Sequence, residues 1–197
     1  MALDQSLLER IASSLRTARP SLPPPGGAAP ANAAKDSILA RAAELYAVRP
    51  GGEDTPPTGF DPAAAALFEA LVEGAFLIAN ADGDFDADER AAFAHVVLSA
   101  TGKRVSESQL SALLQDLAAL LSEDGIEKRI DVVGKTVGKP EQQREVLRVA
   151  ALIGYISGGV SAVERATMTK LAGCFGLGGE AVDGAINEAQ SALDANP

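Results

Sequence analysis

The chain has 197 residues, a formal net charge of −10 and a pI near 4.6, a balance that repels nucleic-acid phosphates and anionic lipid headgroups, both normally met by clustered Lys and Arg. Cys174 is the only cysteine, so no intrachain disulfide and no Cys-based zinc site can form, which fits a reducing cytoplasm. Aromatics are only 4 % of residues and tryptophan is absent, so the core is aliphatic and packed helices are favoured over an aromatic-rich sandwich.

Residues 1–18 show a helical pattern with Leu8, Ile11 and Leu15 on one face, and their interspersed charges do not make a secretory signal. Residues 19–34 are a Pro/Gly/Ala-rich linker, residues 35–48 a second helix (Ile38, Leu39, Ala42, Leu45, Tyr46), and residues 49–61 another linker. This pair of tethered helices has two readings: peripheral helices docked on the core, or an arm that recruits a partner through its apolar face. The main body is expected over residues 62–194. Asp61 is placed to cap its first helix and Pro62 to occupy the first helical position, with Phe68, Leu71, Val72, Ala75 and Phe76 facing inward. Glu69 and Glu73 interrupt this most apolar stretch and argue against a membrane span. Capping-box spacings at Asp86/Glu89, Ser106/Gln109 and Ser161/Glu164 predict three more helix starts. Ile126, Ile130 and Val133 mark a helix ending at Gly138, Pro140 opens another, and Val182, Ile186 and Leu193 mark the last. No segment alternates like a half-buried strand, and the expected fold is all-α: a compact bundle of about seven helices preceded by the two N-terminal ones.

Shifting the sequence by 75 residues lays "LIANADGDFDADERAAF" (77–93) over "LIGYISGGVSAVERATM" (152–168). The bundle therefore reads as two pseudo-repeated halves. Gly83 pairs with Gly158, Asp82 with Ser157, Asp86 with Ser161, and Glu89 with Glu164. Glycine in both copies predicts a positive φ that does not depend on the carboxylates.

A helix ending in "ADGD", a turn, then "DER", followed by a second copy ending in "LAGCFGL", resembles the TerB-like tellurite-resistance family, whose fold also occurs in some DnaJ-like co-chaperones. The resemblance covers roughly residues 62–194. It implies a seven-helix bundle and a divalent-cation site at the acidic Asp-Gly turn, where Asp82, Asp84 and Glu89 occupy the family's acidic positions. The second copy carries Ser157 and Gly159 instead of acids, which speaks against a two-site arrangement.

Carboxylates at alternate positions are hard oxygen donors suited to Ca²⁺ or Mg²⁺. An EF-hand register fails: with Asp82 at position 1, position 6 is Ala87 and position 12 is Phe93. What remains is a tighter turn in which Asp82, Asp84, Asp86 and Glu89 hold Ca²⁺ or Mg²⁺ weakly, with water completing the shell. Against this stands a purely structural account, in which Asp86 and Glu89 cap a helix and the remaining acids favour its dipole. His95 is expected at the surface, too far from Asp88 for joint ligation, and Cys174 is expected to be a buried thiol. No nucleophile elbow, phosphate loop, HExxH or dinucleotide fingerprint occurs, so no catalytic residues are assigned. The expected function is a non-enzymatic binding or scaffold module in a stress-response or envelope-associated complex. It has a protein partner, no nucleic acid, and any membrane association only through that partner. The alternative is a metal-independent structural adaptor that binds a protein through its N-terminal helices and helical surface.

Overall fold

The computed structural model describes residues 4–18, 36–48, 61–83 and 85–195. Among these, nine α-helices occur: α1 (Gln5–Arg16), α2 (Ile38–Tyr46), α3 (Pro62–Ala79), α4 (Ala87–Ala100), α5 (Glu107–Asp124), α6 (Ile126–Thr136), α7 (Pro140–Gly154), α8 (Ala162–Cys174) and α9 (Gly179–Asp194). The chain is all-α, and α3 to α9 are the seven helices expected of the bundle. The linker predicted at 19–34 lies outside the described residues, as does most of 49–61.

The helix starts follow from side chains that answer unpaired first-turn N–H groups. Asp61 accepts from Ala63 N at 2.9 Å, with Pro62 just inside the start. All three predicted capping boxes form, at Asp86/Glu89, Ser106/Gln109 and Ser161/Glu164. The N-terminal helices are shorter than their patterns because Asp4 and Ser37 are their caps. Helix α6 stops at Thr136, before Gly138, because Val137 turns extended and Lys139, preceding Pro140, stays so.

Two helices from equivalent places in the two repeats, α3 and α7, cross at the centre of the bundle. They pack tightly at Gly74, where a Cβ would stand 2.5 Å from Val146 Cγ1. Gly74 thus sets how near the two repeats come. Around this pair lies one continuous core that includes Phe68, Leu71, Phe76, Phe93, Leu147 and Met168. Helix α3 is long and apolar enough to cross a membrane by length and composition, and 61 % of it is buried inside the bundle. Its buried charge is neutralised in place: Glu73 accepts from Arg129 Nε of α6 at 2.6 Å, and the same guanidinium reaches Asp124 at 3.3 Å.

The apolar stripes of both N-terminal helices are spent mainly on the core, with only Ile38 and Leu45 of α2 left partly open beside a surface concavity. Leu8, Ile11 and Leu15 of α1 pack mainly on α4, with α9 and α7 beside it, while Leu39, Ala42 and Tyr46 of α2 pack on α3. Tyr46 and Phe68 bring their rings to 4.7 Å. The two helices are joined at their base by an antiparallel bridge between Thr17 and Asp36, with Ser37 N donating to Arg16 O at 2.8 Å. An arm that recruits a partner through this apolar stripe is therefore not what the chain builds: the stripe forms part of the core.

Candidate functional site

The acidic stretch is the turn between α3 and α4. Asn80 ends α3, its Nδ2 donating to Phe76 O at 2.7 Å, and Gly83 N donates to Asn80 O at 3.1 Å. Gly83 has φ +85°, which a side chain would strain. Phe85 then turns inward, stacking edge-on against Phe76 at 5.8 Å and Phe93 at 5.9 Å between ring centroids. This aromatic anchor fixes the turn to the core and leaves the acids outside.

The second repeat reproduces the turn's glycine bond and its helix cap. Gly158 N donates to Tyr155 O at 3.3 Å, the equivalent of the Gly83 to Asn80 bond, and Gly158 has φ +102°. Glu89 N reaches Asp86 Oδ1 at 2.8 Å in the first copy, and Glu164 N reaches Ser161 Oγ at 3.2 Å in the second. The return bonds also match, with Asp86 N donating to Glu89 Oε2 at 3.2 Å and Ser161 N to Glu164 Oε2 at 2.7 Å. The positive φ predicted from the repeated glycine is present in both copies, with no carboxylate needed in the second.

Of the four acids predicted as ligands, Asp86 and Glu89 come together as a helix cap, and Asp82 stands exposed at the tip of the turn. Asp84 lies outside the described residues. Among the described residues no three His, Cys, Asp or Glu side chains are grouped so as to hold a metal. The structure instead brings together two acids that lie 75 residues apart. Glu89 and Glu164 line the same small cavity, about 20 Å³, with Ser157, Phe85 and Ile156 as further walls. That volume is enough for one water-sized occupant. In each glutamate Oε2 is held by its cap, and Oε1 makes no hydrogen bond among the described residues. Two carboxylates and a hydroxyl are hard oxygen donors, and a Ca²⁺ or Mg²⁺ bound there would need water for most of its shell. The first turn read alone does not bring Glu164 to this cavity. The repeat alignment, which pairs it with Glu89, was the available signal.

A second concavity lies between α4 and α5, about 750 Å³, floored by Leu98, Leu110 and Leu114 and edged by Arg90, His95 and Glu107. His95 is exposed on this groove and belongs to no group of three potential metal ligands among the described residues. Cys174, expected to be buried, is exposed. It follows the buried residues Leu171 and Ala172 at the end of α8 but sits off their stripe, turned toward Asp131 of α6, whose Oδ1 accepts from Sγ at 3.5 Å.

Comparison with protein-family models matches residues 68–187 to the family described as tellurite resistance protein TerB, a span that runs from α3 into α9 and includes both turns. No curated protein and no solved structure matches the chain.

Proposed function

The chain belongs to the TerB family, and from that membership we propose that it works in the cytoplasm as a binding or scaffold module without catalytic activity, tuned by a weakly held divalent cation. The observation that carries this reading is the convergence of Glu89 and Glu164 on one cavity. A Ca²⁺ or Mg²⁺ ion between those glutamates would tie the first repeat to the second. It would also reduce the repulsion around the turn, where Asp82, Asp84, Asp86 and Asp88 crowd in sequence. The effect would be a stiffer, less negative surface for a protein partner in a stress-response or envelope-associated complex.

The test is calorimetric titration of the full chain with Ca²⁺ and with Mg²⁺, comparing wild type with Glu164→Gln, which keeps a cap acceptor, and with Asp82→Asn. Binding on the micromolar to millimolar scale of open oxygen sites is expected, weakened by either substitution. Absence of heat and of any thermal shift up to roughly 10 mM of either ion, well above that scale, would sink it.

A second reading, a metal-independent adaptor, is favoured by one specific fact: both predicted ligands Asp86 and Glu89 already satisfy a helix start. Under it, partner binding is indifferent to chelator. Because the N-terminal apolar stripe is buried, such an adaptor would use the outer helical surface.

A further inference from the structure

The two repeats differ in how the helix after each turn meets the next one. In the second half, Arg165 of α8 pairs with Asp183 of α9. Its equivalent in the first half, Arg90 of α4, has no ion-pair partner among the described residues; it lies over the Phe85 ring, 5.7 Å from the centroid, and donates to Phe85 O at 3.4 Å. Glu107, at the first position of α5, likewise has no partner there. Between the two helices lies the 750 Å³ groove, its floor apolar and its α4 lip made of the exposed alanines Ala87 and Ala91.

The placement of these charges is self-complementary. Arg90 is near the start of α4, while Glu107 follows the connection at its end, where Lys103 N still bonds Leu98 O at 2.9 Å. They therefore stand toward opposite ends of a groove that α4 follows for about 12 Å between Arg90 and Leu98, by helical rise. Under a twofold axis across the middle of the groove, the Arg90 end of one copy meets the Glu107 end of the other, so the same pair forms twice and each charge is answered once, as an isologous contact requires. Small alanines on the lip let the helices approach closely.

We propose that the α4–α5 groove is a self-association surface, occupied by the α4–α5 hairpin of a second copy with Arg90 of each facing Glu107 of the other. The contact is modest in extent and partly ionic, so the dimer forms at raised concentration and loosens with salt. Sedimentation equilibrium on the full chain tests it. Wild type should show a concentration-dependent dimer. Arg90→Glu and Glu107→Lys should each weaken it by about tenfold or more, and the double variant should recover it, because opposite charges across an interface fix its register. Ala91→Arg, on the exposed lip, should abolish the dimer independently if Arg90→Glu disturbs the neighbouring turn. Circular dichroism on every variant separates lost folding from lost association. A wild-type chain that stays monomeric at high concentration, including one that binds a foreign helix in this groove, overturns the proposal. So does a dimer indifferent to both single reversals, or a double variant that fails to recover.

Discussion

Arg148 Nη2, on α7, donates to the main-chain carbonyl of Thr17 at 3.1 Å across 131 residues of sequence. The same group also reaches Ser14 O, while Nη1 forks onto Glu145 Oε1 and Oε2 at 3.0 and 3.1 Å. The last carbonyls of α1 have no partner within the helix, and a guanidinium beside them also complements the negative end of its dipole. One buried side chain therefore clamps the N-terminal segment to the family core.

Arg148→Ala should cost on the order of 3–5 kcal/mol in urea unfolding, since it breaks a buried charge-assisted network from one side. Arg148→Lys should recover only part of this, because an ammonium cannot fork between a carboxylate and two carbonyls. Hydrogen exchange should rise selectively in α1. Uniform exchange across the bundle would show that the clamp is not specific to that helix.

Asp124 supplies a pH dependence with a definite sign. Lys128 Nζ, bonded to it at 2.6 Å, and Arg129 at 3.3 Å hold its carboxyl below the ordinary carboxylate range. A group more acidic in the folded chain than in the unfolded one stabilises above its unfolded pKa of about 3.9. That contribution is lost as pH falls through the lower, folded value. Thermal unfolding scanned between about pH 2 and 5 should therefore show a shallower acid limb in Asp124→Asn than in wild type. Equal slopes would show that other carboxylates dominate the limb.

Cys174 is exposed, yet it should react slowly. Partial desolvation, then the Asp131 carboxylate that accepts its hydrogen bond, push the thiol above its ordinary pKa. The thiolate is the nucleophile, so alkylation at neutral pH should lag behind that of a small free thiol, and Asp131→Asn should speed it. A wild-type rate equal to that of glutathione would contradict this.

What could be read from the sequence was whatever depends on local rules. Capping boxes at 86/89, 106/109 and 161/164 each name a side chain and an N–H three residues apart, so the helix starts were visible before any tertiary contact. The repeated glycine at 83 and 158 announced its positive φ in the same way. Tertiary choices were harder. The apolar stripe of α1 reads identically whether it seeks a partner or this chain's own α4, and only the tertiary packing shows which. Cys174 misled because adjacency to Phe175 suggested burial. Neighbours in a helix point about 100° apart, and the stripe of Met168, Leu171, Ala172 and Phe175 passes it by. The meeting of Glu89 and Glu164 required knowing that α3 and α7 cross, which no spacing encodes.

The duplicated turn gives the molecule an internal control. Its second copy keeps the glycine, the cap and the hydrogen bonds of the first with neutral Ser157 and Ser161 in place of Asp82 and Asp86. An agent that acts on the Asp82 or Asp86 carboxylate registers directly at the first turn, whereas one that acts on the cavity shared by Glu89 and Glu164 registers at both. The amide resonances of Gly83 and Gly158, followed together in one sample, therefore separate action confined to the acidic tip from action at the shared glutamate cavity.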